Sequence, residues 1–328
     1  MADACIQRKS YKVLSSHWRY WKRQSAVFSG FVTRLNRFFK NKSFWLVPDL
    51  NTLKKMKQIS ILGCGWLGLP LAKTLLTNGF SVKGSTTSES KLSNLKSLEI
   101  DPFIISLESK NVNGAVEDFL NGSETLIIDI PPKLNRKSED TSTEKVFVEK
   151  IKNLISHVEK SDVKKVLFVS STSVYGEAIG TITEETHSKP DTESGKQLLE
   201  VEKLLQSNSN FKTTILRFGG LIGEDRNPIK FLAGKQNLEN PETPINFIHQ
   251  VDCIGIIVKI LESNSWNEIY NGVSPFHPTR EAYYSQKAAE LNLTLPQFDH
   301  AKPSVNKVIL GNKIERLLGY KFVNPNLD

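Results

Sequence analysis

The sequence predicts an α/β fold: a doubly wound parallel sheet with helices on both faces, carrying a smaller C-terminal lobe. Three observations predict it. A short apolar run, Ile59–Leu62, leads directly into the glycine-rich loop Gly63-Cys64-Gly65-Trp66-Leu67-Gly68. A segment of helical periodicity follows at once, with Leu69, Leu71, Ala72, Leu75 and Leu76 on one stripe. Strand-length apolar runs then alternate with helical segments along the chain, which is how parallel sheets are connected.

The elements are read in order. Ile59–Leu62 is a buried strand, and the helix after it stops at Asn78-Gly79. Phe80–Gly84 is a second strand, and Leu126–Ile130 is a buried strand closed by Pro131-Pro132. Val148, Ile151, Leu154, Ile155 and Val158 mark an amphipathic helix. Val166–Val169 is a strand running into Ser170-Ser171-Thr172-Ser173. A helix containing Leu198, Leu199, Val201, Leu204 and Leu205 precedes a strand at Thr213–Leu216. Beyond Arg217 the pattern is less regular and prolines recur, as in a lobe that closes over a ligand. The expected division is 56–218 for the sheet domain and 219–328 for the lobe, with about 245–262 returning to the sheet domain.

Composition narrows the function classes. The formal net charge of +8 points toward nucleic acid, but its distribution does not. Residues 1–55 hold twelve Lys or Arg against Asp3 and Asp49, which leaves −2 for residues 56–328. Neither a nucleic-acid partner nor a membrane span is expected, since no apolar run reaches about 18 residues. The three cysteines, Cys5, Cys64 and Cys253, fit a reducing, cytoplasmic setting. The six histidines form no metal-ligand spacing, so no metal is expected.

Three readings compete for the basic, aromatic segment 1–55: an organelle transit peptide, an arm for anionic surfaces, or a start placed upstream of the natural one. The methionines are Met1 and Met56, and Met56 stands just before the first strand. On each reading residues 1–55 fall outside the fold.

The glycine loop has the context that gives its pattern meaning, a strand before and a helix after. Gly63 permits the tight turn, Gly65 lets backbone amides approach a pyrophosphate, and Gly68 lets helix and strand pack closely. The helix N-terminus adds unpaired N–H groups and the positive end of its dipole. Cys64, Trp66 and Leu67 complete the loop. The tip of the second strand separates NAD from NADP. An acid there would bind the ribose 2′-hydroxyl of NAD. The chain instead reads Ser85-Thr86-Thr87-Ser88, whose hydroxyls and amides suit a 2′-phosphate, with Lys83 or Lys91 to supply charge. NADP is therefore expected. NAD remains open through Glu89.

From Ser170-Ser171-Thr172-Ser173-Val174-Tyr175-Gly176 onward the sequence resembles the extended short-chain dehydrogenase/reductases, which include nucleotide-sugar epimerases and dehydratases. Leu216-Arg217-Phe218-Gly219-Gly220-Leu221-Ile222-Gly223 and Asn246-Phe247-Ile248-His249-Gln250-Val251-Asp252 agree. The glycine loop with Asp129-Ile130-Pro131-Pro132 looks like an atypical subgroup of that family. The resemblance spans roughly 56–328 and implies a Rossmann-type dinucleotide site that includes Ile130, Pro131 and Phe218. It also implies a Ser, a Tyr and a Lys at the active site. The Ser maps to Ser171, and the Lys to Lys196, which would also hold the nicotinamide ribose. The Tyr position is Thr192. A phenol with a pKa near 10 can be tuned toward neutrality, whereas an aliphatic hydroxyl is far too weak an acid.

Asp191, Glu193, His187, Tyr283 and Tyr284 are the conceivable substitutes for that tyrosine, and Tyr175 reads as a packed residue. Arg217, Arg226, His249 and Arg280 are candidates to line a substrate pocket. Two functions follow. One is an NADP-dependent oxidoreductase or epimerase/dehydratase-like enzyme acting on a small polar or sugar-derived molecule. The other is a cofactor-sensing module without turnover. The sequence leaves monomer and homodimer open.

Overall fold

The computed structural model describes residues 57–132 and 145–328. The expectations for residues 1–55 lie outside the described residues. Residues from Met56 to Asp328 make up one compact unit.

The first half runs β1 (Gln58–Leu62), α1 (Gly68–Thr77), β2 (Ser81–Thr86), α2 (Leu92–Ser97) and β3 (Asp101–Ile104). It continues with β4 (Ser106–Leu107), β5 (Val112–Asn113), α3 (Val116–Leu120) and β6 (Thr125–Ile128). The second half runs α4 (Val146–Val158), β7 (Lys165–Ser171), β8 (Gly180–Ile182), α5 (Glu193–Gln206) and β9 (Lys212–Phe218). Then come β10 (Gly220–Ile222), β11 (Phe247–His249), α6 (Gln250–Ser263), β12 (Ile269–Gly272), α7 (Arg280–Glu290) and β13 (Lys307–Ile309).

Seven of these strands form one sheet in the order β12-β9-β7-β6-β1-β2-β3, and every pairing in it is parallel. Strand order reverses between β1 and β6. Ligands bind at such switch points, beyond the carboxyl ends of the strands. Side-chain alternation sends successive residues of each strand into different cores. Ile59, Ile61, Ile127, Leu167 and Leu216 pack with Leu71 and Leu75 of α1 and Ile256 and Ile260 of α6. Leu126, Ile128, Val166, Phe168 and Ile215 pack instead with Phe119, Ile151, Leu154 and Val201 of α3, α4 and α5. Both faces are buried, so the strands read as unbroken apolar runs.

The strands and helices expected from periodicity are all present, with ends displaced by a few residues. Two members of the sheet were not legible. β3 carries Pro102 and is only partly buried, as an edge strand tolerates. β12 is four residues long, Ile-Tyr-Asn-Gly, and lies within the region of irregular pattern. A third cluster, with Ile222, Ile229, Ile245, Tyr283, Tyr284 and Leu327, gives the C-terminal region its own core.

Candidate cofactor and substrate cleft

β1 ends where a tight turn must form, and Gly63 supplies it with φ of +107°. A side chain there would also run into the Asp129 carbonyl, and one at Gly68 would meet the Gly63 carbonyl. Both glycines are required by the fold itself. Gly65 differs. Its backbone lies outside the left-handed region, and a β-carbon placed on it meets nothing within 4 Å. Among the described residues nothing requires glycine at this position, and the space above it is open.

That space belongs to a cleft of about 820 Å³ at the carboxyl ends of the strands. This is within the range of cofactor sites, about 300–1,000 Å³. Gly63, Cys64, Gly65, Trp66 and Leu67 line it, as do Ser85, Thr86 and Thr87 at the tip of β2. Ile130 and Pro131 after β6, Ser171 at the end of β7 and Phe218 at the end of β9 are the other expected residues on its walls. Gly68 is buried beneath the loop.

Lys91 lines the cleft with Ser85, Thr86 and Thr87. Lys83 does not serve there. Its ammonium donates to the carbonyl oxygens of Asp118 at 2.6 Å and Asn121 at 2.8 Å, closing the end of α3. Glu89 begins a single turn of helix after the β2 tip and is not among the lining residues.

Asp129 is a site residue whose importance sequence reasoning missed, although its segment was noticed. Its amide continues the ladder from β6 to Leu62 at 2.9 Å. Asp129 lines the cleft, with its carboxyl beside Gly68 at the N-terminus of α1. Burial pushes this carboxyl up to about 7, and the Gly68 hydrogen bond offsets only part of that. Cys64, beside it, is pushed up to about 12 by burial and by the Asp129 charge. Its sulfur packs against Gly84, and burial of this kind disfavours the thiolate.

The residues implied by the resemblance do not all converge. Ser171 stands on the cleft wall, where its Oγ accepts the Ser173 amide at 3.1 Å. Lys196 is absent from the lining; it is exposed in the first turn of α5, 4.0 Å from Glu193. Leu198, two positions further round the helix, is the α5 residue that reaches the cleft. Thr192 is the N-cap of α5, its hydroxyl accepting the Gly195 amide at 3.1 Å.

Of the substitutes considered for the tyrosine, Tyr283 and Tyr284 pack edge-to-face with Phe247 in the third core. Asp191, Glu193 and His187 are exposed. Tyr175 is fully buried, as expected, with its hydroxyl donating to Asn271 at 2.8 Å and accepting from Arg217 at 2.9 Å. Arg217 is not a pocket residue. It is buried in a two-pronged pair with Glu202, 2.6 Å at the shortest contact, and Glu202 also accepts the Ser170 hydroxyl at 2.6 Å. His249 caps α6, its Nδ1 accepting the Val251 amide at 3.2 Å. Arg280 donates to the Glu239 carbonyl and lies over the rings of Tyr284 and Phe298. Of the four arginine and histidine candidates, only Arg226 lines the cleft.

No helix among the described residues is long and apolar enough to cross a membrane.

Residues 63–248 match the NAD(P)H-binding family. The chain is 33% identical over 273 residues to Protein YeeZ of Escherichia coli K12, covering 83% of this chain and 97% of that protein. Among solved structures it resembles UDP-glucuronic acid 4-epimerase from Bacillus cereus in complex with NAD. That match has a TM-score of 0.66 at 20% identity and covers 81% of this chain and 92% of the epimerase. It also resembles a short-chain dehydrogenase/reductase superfamily protein from Agrobacterium tumefaciens with bound NAD. There the TM-score is 0.65 at 18% identity, over 81% and 92% of the two chains.

Proposed function

The chain belongs to the NAD(P)H-binding family and has the fold of the short-chain dehydrogenase/reductases, and we propose that within it the protein is an NADP-dependent enzyme. Its reaction is of oxidoreductase or epimerase/dehydratase type, on a small polar or sugar-derived substrate, in the cytoplasm. The observation that carries the cofactor half of this reading is the open space above Gly65, which the fold itself does not require.

The residues present fit a dinucleotide. The backbone amides of Trp66 and Leu67, at the N-terminus of α1, and the open face of Gly65 suit a pyrophosphate. Ser85, Thr86 and Thr87 offer hydroxyls and amides to a 2′-phosphate, and Lys91 offers charge. NADP, when bound, supplies hydride transfer at its nicotinamide ring. The chain's own residues bind and orient. Ser171 presents a hydroxyl at the end of β7, where it can hydrogen-bond a substrate oxygen. Ile130, Pro131 and Phe218 form apolar walls that exclude water.

The second reading, a cofactor-sensing module without turnover, is favoured by one observation. Thr192 is committed to capping α5, and the side chains of Tyr175, Tyr283 and Tyr284 are buried in packing, so none of these hydroxyls is free to act as acid or base.

Titration of the full chain with NADPH and NADH tests the cofactor, and NADPH is expected to bind more tightly. Incubation with NADPH or NADP and a panel of sugar nucleotides, followed by nicotinamide absorbance and by chromatography of the sugar products, separates the two readings, because an epimerase or dehydratase returns its cofactor unchanged. Turnover supports the enzyme. Tight binding with no turnover supports the sensor. Absence of binding to either dinucleotide contradicts both.

A further inference from the structure

Trp66, in the middle of the glycine loop, is gripped from far along the chain. Residues Gly223 to Arg226 form a tight turn closed by reciprocal backbone bonds, Gly223 N–H to Arg226 O at 3.1 Å and Arg226 N–H to Gly223 O at 3.0 Å. The turn lies on the Trp66 ring. The indole N–H donates to the Asp225 carboxylate at 2.7 Å. Gly223 is so close to the ring that a β-carbon would come within 2.9 Å of it. The Arg226 guanidinium stacks over the indole, 5.1 Å from a ring centroid. The Gln250 side chain donates to the Trp66 carbonyl at 2.7 Å.

This arrangement holds one cation in place on the cleft wall. A guanidinium stacked on an aromatic face keeps its N–H edge available. Asp225, the nearest acid in sequence, is engaged by the indole instead. Among the described residues no carboxylate forms an ion pair with Arg226; the paired arginine is Arg217. Arg226 and the glycine-loop residues Gly65, Trp66 and Leu67 line the same cleft.

We propose that Arg226 is a phosphoryl-binding residue of this cleft, completing with the backbone amides of Trp66 and Leu67 a two-sided grip on a pyrophosphate, and that the Trp66 ring positions it. The proposal rests on the dinucleotide reading above for the identity of its first ligand, the cofactor pyrophosphate. A phosphoryl group on the substrate has the same chemistry and is the other source.

The experiment uses the full chain, as wild type, Arg226→Ala, Arg226→Lys, Trp66→Ala and Trp66→Phe. Each is titrated with NADPH, with adenosine 2′-monophosphate, which lacks the pyrophosphate, with uridine diphosphate and with inorganic pyrophosphate. Loss of charged hydrogen bonds in Arg226→Ala should weaken NADPH by about tenfold or more and leave adenosine 2′-monophosphate unchanged. Arg226→Lys should recover part of the loss. Trp66→Ala should reproduce much of the defect, and Trp66→Phe, which keeps a ring under the guanidinium but releases Asp225, should recover only part of it. If NADPH is unaffected and uridine diphosphate weakens tenfold, the phosphoryl group is the substrate's and the assignment of Arg226 stands. Unchanged affinity of Arg226→Ala for NADPH, uridine diphosphate and pyrophosphate alike overturns it. If wild type binds neither NADPH nor NADH, the dinucleotide reading fails; pyrophosphate binding lost in Arg226→Ala would then still support the phosphoryl site, and its absence in wild type would end that too.

Discussion

The hydroxyl of Thr192 accepts the backbone N–H of Gly195 at 3.1 Å, and this one bond accounts for the residue that stands where the family tyrosine is expected. Thr192 is extended, with φ of −89° and ψ of 150°, as an N-cap must be. Thr192→Ala should therefore cost about 0.5–2 kcal/mol of stability and leave NADPH affinity unchanged. Thermal melting and titration together check this. A loss of binding with no loss of stability would assign Thr192 to the site.

Arg217 and Glu202 form a buried pair that also fixes Ser170 and Tyr175. Removing one partner strands a charge in the core. Glu202→Ala or Arg217→Ala is expected to cost about 3–5 kcal/mol, measured by urea denaturation. A change within 1 kcal/mol would mean that water reaches the pair.

Asp129 makes binding and stability depend on pH. Its folded-state pKa is raised from 3.8 to about 7. The folded state then binds more protons than the unfolded chain between those values, so this group's contribution to stability falls as pH rises from about 4 to about 7. Above about 7 a carboxylate stands beside the amides expected to bind the pyrophosphate. NADPH affinity should decline as pH rises past about 7 in wild type and be flatter in Asp129→Asn. Parallel pH profiles for the two proteins would show that another group is responsible.

The tip of β2 sets the choice between cofactors. Thr86→Asp places a carboxylate where the 2′-phosphate is expected, and should weaken NADPH at least about tenfold while sparing NADH, the scale of a lost charged hydrogen bond. Lys91→Ala should act in the same direction with smaller effect. Equal losses for both dinucleotides in Thr86→Asp would place the adenosine ribose elsewhere.

The sheet and the glycine loop were legible because burial on both faces leaves unbroken apolar runs, and because the loop joins a strand to a helix at fixed spacing. Most of the cleft wall followed from the same reasoning, since strand ends in a parallel sheet share one side. What the sequence could not show is pairing across distance. Arg217 reads as a cation at a strand end, and only the packing of α5 on β9 reveals Glu202 beside it. Lys196 and Leu198 are two positions apart, yet about 200° of helical rotation decides which faces the cleft. Asp129 reads as a strand-end acid until the fold brings it to the Gly68 amide. β12 was hidden by its length.

Gly65→Ala tests the cofactor site most directly. Gly63 and Gly68 cannot be probed cleanly, since a side chain at either collides with backbone. A methyl group on Gly65 meets no atom of the described residues within 4 Å and occupies the space expected for the pyrophosphate. Thermal melting and NADPH titration of this variant and wild type give the answer. If the loop holds a dinucleotide, the melting temperature is unchanged and NADPH affinity falls by about tenfold or more, the loss expected for displaced charged hydrogen bonds. An NADPH affinity equal to that of wild type would contradict a pyrophosphate site at this loop.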